Sequence, residues 1–326
     1  MARIRWKKHN ESGIYTLANS SIQYYIYILF IFDHSNLLLK ARNKFSILFS
    51  TCLSMIKKSY QKELTISATQ QRNGSTNTKK DILKIQSWLS LYEMSHAGAG
   101  TLTGIDGDFG PATEMAVKNY QRAIGATQNG IVNQALFAKL SAPLKNAFEG
   151  AIAGNGLRQL IVATAKNHLQ DHPFELRINQ RNNCGPWVRS YLDGFEGEAW
   201  FWCMGFVQGI VDQAASLLGK DFRSLMPLTY SCDTVGTTGL QKGILLRYTK
   251  VRNNPAIVKP GDIFLVQKTP NDWKHTGIIT AIGAETFETI EGNTNEGGSH
   301  NGNGVYKRIR NFMGSKLDVF SVEPLV

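Results

Sequence analysis

The chain has 326 residues, 42% hydrophobic and 19% charged, enough for two folded units with sizeable cores, which excludes wholesale disorder. Thirty-six Lys plus Arg against 25 Asp plus Glu give a net charge of +11. That favours a polyanionic partner such as nucleic acid, anionic lipid or an acidic wall polymer, but the basic residues are spread along the chain and name none of these. Cys52, Cys184, Cys203 and Cys232 form no C-x-x-C pair, which argues against a disulfide framework or a zinc ribbon and leaves each thiol to be judged by its surroundings.

Residues 1–60 stand apart. The basic cluster Arg3, Arg5, Lys7 and Lys8 precedes the uncharged stretch Ser12 to Phe32, the order found in a signal anchor. Polar residues dilute that stretch, its apolar end is shorter than the ~20 residues of a span, and no small-residue cleavage site follows. A second short apolar stretch runs from Phe45 to Ile56. A membrane anchor is therefore a doubtful expectation, set against a true start at Met55, which would weaken the basic character without abolishing it. The polar residues 61–78 read as a linker.

Within 79–141, Ile82, Ile85, Leu89 and Tyr92 recur at helical spacing, Pro111 opens a second helix with Met115, Val117, Tyr120 and Ile124, and a third runs from Asn133 to Leu140. This predicts a small three-helix unit. Pro143, Gly150, Gly154 and Gly156 then mark 142–156 as a second linker. In 157–326, helical patterns at Leu157 to Asn167 and Trp202 to Leu218 come before strand patterns at Asp262 to Gln267, Thr276 to Ile282, Thr286 to Ile290, Val305 to Ile309 and Asp318 to Val322. Helices followed by strands predict an α+β domain with an antiparallel sheet.

The chemistry-bearing residues of the larger unit follow that order. Cys203 opens a helix in Trp202-Cys203-Met204-Gly205, where the positive helix end favours a thiolate. His275 enters one strand, and Glu291 and Asn293 end the next, two apart and hence on one side of an extended chain. A nucleophile on a helix with its base and orienting group on neighbouring strands suits covalent catalysis. His168 and His172 lack the glutamate of H-E-x-x-H, so no metal is expected. His300 reads as solvated, and Cys184 and Cys232 as plain thiols. Trp200, Phe201, Trp202 and Trp273 suit either a groove or a core.

The run Gly104-Ile105-Asp106-Gly107-Asp108-Phe109-Gly110-Pro111-Ala112-Thr113, with its echo Asn129-Gly130-Ile131-Val132, resembles the helical peptidoglycan-binding domain. The resemblance implies wall-ligand contacts from Asp106, Phe109 and Thr113, although Phe109 and Gly107 also read as parts of a structural turn. Asp106 and Asp108 do not make a calcium loop, because no Glu closes it. In the larger unit, Trp202-Cys203, Lys259-Pro260-Gly261-Asp262, His275 with Gly277-Ile278, and Ile290-Glu291-Gly292-Asn293 resemble the CHAP amidase/peptidase family, akin to NlpC-type and papain-like enzymes.

That resemblance implies a cysteine-dependent peptidoglycan amidase or endopeptidase, an autolysin or an endolysin, with Cys203 as nucleophile, His275 as its partner and Glu291 or Asn293 orienting the ring. Trp202 and Asn183 would contribute to substrate binding. It further implies no cofactor, no nucleic-acid partner, a monomer, and a location in the cell envelope or outside the cell. Two alternatives stand beside it: a catalytically silent wall-binding protein and a papain-like hydrolase of a non-wall amide.

Overall fold

The computed structural model describes the strand backbones 6–9, 14–19 and 22–24, and residues 55–326 apart from Ser315. The chain divides into two compact units, Met1–Thr51 and Cys52–Val326. In the first, β1 (Trp6–His9), β2 (Ile14–Asn19) and β3 (Ile22–Tyr24) pair antiparallel in order. Part of the stretch expected as an anchor is thus extended backbone; the remainder, with residues 45–54 and Cys52, lies outside the described residues. Among the described residues no helix is long and apolar enough to cross a membrane.

The second unit opens with residues expected to be a linker but packed instead. In α1 (Tyr60–Glu63) the Tyr60 ring stacks on Phe148 at 4.5 Å. Beyond it, Lys84 Nζ donates to the carbonyls of Lys62 and Thr65, and Ser67 donates through N–H and hydroxyl to Asp81 Oδ2. Gln70 and Val132 exchange backbone hydrogen bonds. The composition of 61–78 is polar, but its polar groups are spent on specific partners.

Three helices make the small domain: α2 (Lys79–Ser95), α3 (Pro111–Ala123) and α4 (Gln134–Leu140). Their starts follow from local chemistry. The Thr78 hydroxyl accepts from Asp81 N–H, Pro111 occupies the first position of α3, and Asn133 Oδ1 accepts from Leu136 N–H. Ile82, Ile85, Leu89, Val117, Tyr120 and Phe137 are buried between them.

The second expected linker contains α5 (Ala142–Glu149), which buries Leu144, Ala147 and Phe148. Then come α6 (Leu157–Gln170), the hairpin strands β4 (Leu176–Ile178) and β5 (Arg181–Cys184), α7 (Pro186–Tyr191), the fully buried α8 (Cys203–Ser216), and α9 (Cys232–Gln241). The remaining elements are β6 (Leu245–Leu246), α10 (Tyr248–Asn253), β7 (Ile263–Thr269), β8 (Asp272–Ile282), β9 (Thr286–Thr294), β10 (Gly304–Asn311) and β11 (Leu317–Phe320). They form a six-stranded sheet of order β10-β9-β8-β7-β11-β6, antiparallel at every pairing. The α+β expectation with an antiparallel sheet matches this architecture. One core runs through both domains, with Trp88 of α2 edge-on to Trp187 of α7.

At that junction Arg189 donates from Nε and Nη2 to the two oxygens of Glu63, at 2.9 and 2.7 Å, and from Nη1 to Glu196. Removing one partner of a mostly buried pair strands the other charge. Glu63→Ala is therefore expected to cost about 3 kcal/mol, the low end for a buried pair because Glu196 remains. Urea unfolding checks this as a lower midpoint at unchanged slope.

Candidate functional site

Helix α8 meets the sheet at β8 and β9, and the expected residues converge there. Cys203 is the first residue of α8 and is buried. Its sulfur lies 3.9 Å from that of Cys232, the first residue of α9. The Cys203 thiol is held well below its ordinary value: a hydrogen bond from Cys232 contributes most, burial opposes, and the His275 imidazole and Met204 N–H add to the lowering. Cys232, as the donor, is pushed well above its ordinary value.

His275 on β8 is buried, with Nε2 2.8 Å from Glu291 Oε2 on β9. Its buried Nδ1 has no hydrogen-bond partner. Burial alone would depress the ring's basicity, but coupling to Cys203 and Glu291 outweighs it and raises the pKa to about 9. Glu291 is fully buried; burial favours its protonation, yet His275 and Arg310 draw it down to about 2. Arg310 grips both carboxylate oxygens at 2.6 Å, and the Thr289 hydroxyl donates to Oε1. The guanidinium in turn lies over the Phe264 ring at 4.6 Å.

Asn293 takes a different place from the one expected. Its φ is +55°, and among the hydrogen bonds of its side chain none reaches His275. Instead Oδ1 accepts from Trp202 N–H at 3.3 Å, while Nδ2 donates to Asn183 Oδ1 and the Gly302 carbonyl. Trp202, expected to bind substrate, is buried; its ring stacks on Tyr191 and its Nε1 donates to Glu175. Asn183 is buried too, and its Nδ2 has no partner. Phe201 is exposed and Trp200 half-buried, stacked on Phe195, whereas Trp273 is core, with Nε1 donating to Asp318.

Beside Trp202 opens a cleft of ≈ 330 Å³ lined by Glu175, Asn182, Asn295, Asn301, Gly302 and Asn303. The loop of 295–303 also brings His300 within electrostatic reach of Cys203 and His275. His168 is satisfied inside the core, between the Tyr191 hydroxyl at 2.8 Å and Gln213 Oε1 at 2.9 Å.

In the small domain, Gln86 organises the glycine turn. Its Oε1 accepts from the N–H groups of Asp106 and Gly107, and its Nε2 donates to Asp106 Oδ1, the Asp108 carbonyl and Thr113 Oγ1. Gln121 repeats this at the echo, accepting from Gly130 N–H and donating to Asn129 Oδ1 and the Ile131 carbonyl. Phe109 and Thr113 are buried and Asp106 Oδ1 is engaged, so these atoms hold the turn. Sequence reasoning did not single out Gln86, Arg310, Thr289 or the role of Cys232. The repeated pairing of a helix Gln with a following D-G or N-G turn was the available signal for the first.

Residues 78–140 match the peptidoglycan binding domain family, so the chain carries a peptidoglycan-binding domain. Among curated proteins, the zinc D-Ala-D-Ala carboxypeptidase of Streptomyces albus G is 40% identical over 52 residues. That similarity covers 16% of this chain and 20% of the relative, about a fifth of the relative's length. No solved structure matches significantly. The relative is a zinc enzyme, which overturns the expected enzyme class, a cysteine-dependent peptidoglycan amidase or endopeptidase. Zinc itself does not fit the described residues: no three His, Cys, Asp or Glu side chains among them are grouped to hold a metal ion.

The pKa shifts set a stability profile. His275, raised from 6.5 to about 9, stabilises the fold below pH 6.5 and loses that contribution as pH rises through 9. Cys203, lowered from 9.0, stabilises above 9.0 and loses its contribution as pH falls. Between 6.5 and about 9 the two trends oppose each other. Glu291, lowered from 4.5 to about 2, stabilises above pH 4.5 and loses its contribution as pH falls through 2. Thermal melts of the wild type should therefore show stability falling on the acid side of pH 4.5.

Proposed function

We propose that this chain acts at peptidoglycan, held there by its 78–140 domain, and that Cys203, His275 and Glu291 form the reactive centre of a larger domain with a CHAP-like arrangement of helix against sheet. One observation carries the reading. A single buried imidazole is coupled on one side to a thiol and on the other to a carboxylate that Arg310 and Thr289 hold in place.

A thiolate beside an imidazolium is a nucleophile with a proton donor at its side. Glu291 keeps the ring oriented and charged. Asn293 acts one step away, fixing the Trp202 N–H immediately before the nucleophile. The cleft offers asparagine amides, donors and acceptors suited to an amide-bearing glycan or peptide strand. Asp106 is an exposed acidic group of the small domain for a wall ligand, while Phe109 and Thr113 shape the turn that presents it. Action at the wall implies a place in the envelope or outside the cell.

Burial of Cys203 favours a second reading, a wall-binding protein whose centre is silent. Two assays on the full chain separate them: co-sedimentation with purified peptidoglycan, and iodoacetamide labelling at neutral pH mapped by peptide mass spectrometry. Sedimentation, with Cys203 labelled ahead of the buried Cys184, is the expected result. Sedimentation with Cys203 left unlabelled would reject the reactive centre in favour of the silent one.

A further inference from the structure

Cys232 is the one described thiol that touches Cys203, and the proposed chemistry leaves it unused. Its position is built rather than incidental. Ser231 caps α9 by accepting from Thr234 N–H, and Asp233 Oδ1 accepts from Trp273 N–H at 2.6 Å, tying the start of α9 to the strand that carries His275. Gly236, one turn on, lies flat against the Trp273 ring; a Cβ there would come within 2.4 Å of it. These contacts hold the two sulfurs 3.9 Å apart, each on the first residue of a helix. A disulfide needs about 2.05 Å between sulfurs, so closure asks for roughly 2 Å of relative movement of the two sulfur atoms.

We propose that Cys203 and Cys232 form a peroxide-responsive dithiol, in which Cys232 captures oxidised Cys203 as a reversible disulfide. The inference rests on the reading of Cys203 as a reactive thiolate. In the first step the Cys203 thiolate attacks a hydroperoxide: an S–O bond forms, the O–O bond breaks, and hydroxide or alkoxide leaves, giving a sulfenic acid. In the second, the Cys232 sulfur attacks that of Cys203: an S–S bond forms, the S–O bond breaks, and water leaves with the Cys232 proton. The peroxide is reduced by two electrons and the thiol pair oxidised by two. The disulfide removes the nucleophile while protecting it from irreversible sulfinic acid, and a dithiol reductant restores it. Cys184, fully buried and donating to the Asn182 carbonyl, touches no other described thiol and serves as an internal control.

The test uses the full chain, hydrogen peroxide and peptide mass spectrometry, with iodoacetamide labelling of Cys203 as readout. In the wild type, peroxide is expected to abolish labelling and yield a linked Cys203–Cys232 peptide, and dithiothreitol to restore labelling. In Cys232→Ser, peroxide should drive Cys203 to the sulfinic acid, with no recovery. Irreversible oxidation in the wild type, or a link from Cys203 to Cys184 or Cys52, overturns the inference. Failure of untreated Cys203 to label at neutral pH instead rejects the reactive-thiolate reading beneath it. Should Cys232→Ser lose its circular dichroism signature of folding, the linked peptide in the wild type decides alone.

Discussion

One chain of ionisable groups governs the larger domain: the Cys203 thiol, the His275 imidazole and the Glu291 carboxylate, all buried, and the half-buried Arg310 guanidinium. Each alone would be costly away from water, and a lone buried ion ordinarily neutralises itself by shifting its pKa. Here Cys203, His275 and Glu291 each have a neighbour that favours the charged form. That coupling explains how Glu291 stays ionised at full burial, and how His275 gains basicity where burial should remove it. It also makes the centre indivisible. Taking away one group leaves its neighbour beside Phe264 without the partner that favours its charge, so the helix and the strands must arrive together for the cluster to exist.

The sheet supplies what the cluster demands. Register places His275 opposite Val266 and Tyr306 opposite Glu291, and the irregularity between Gly304 and Tyr306 ends the regular ladder where β10 passes the carboxylate. Gly277, two residues beyond His275, lets the Glu291 side chain pass close to the strand; a Cβ at that position would lie 2.8 Å from Glu291 Cγ. Gly292 does the same for Phe206 of α8, which approaches within 2.7 Å of where its Cβ would stand. Two glycines thus mark where helix and sheet come close enough for a thiol and an imidazole to meet.

How much of this was legible in the sequence depends on the range of the interaction. Helix starts were readable because their causes are local: Pro111 and Asn133 act on the turn that follows them. The order of helices and strands was readable from apolar period, and with it the antiparallel sheet. Cys203 was readable as a helix opener because it is the first residue of α8, whereas His275 and Glu291 lie inside β8 and β9, past the ends where they were expected. The place of Asn293 was not readable, since two of its partners, Trp202 and Asn183, lie far away in the chain. Residues 61–78 and 142–156 looked like linkers because polarity and glycine content describe composition. The partners that order them, Asp81, Lys84, Asn167 and Gln213, lie elsewhere in the chain. Arg310 and Cys232 were hidden for the same reason: a neighbour across a sheet or between two helix starts has no fixed spacing in sequence.

The packing of residues 61–78 and 142–156 changes what the binding domain contributes. On a flexible tether, a wall-binding module would raise the local concentration of wall around the reactive centre and leave orientation to chance. In this chain the small domain shares a core with the larger one through Trp88 and Trp187, and Tyr60, Glu63 and Arg189 fasten the chain between them. Capture of a strand by one domain would then present it to the other at a set angle as well as a set distance. The ordering cost is met on folding instead of at each encounter, which is the advantage of preorganisation. The same rigidity limits reach, confining the protein to those wall strands whose geometry meets both surfaces at once.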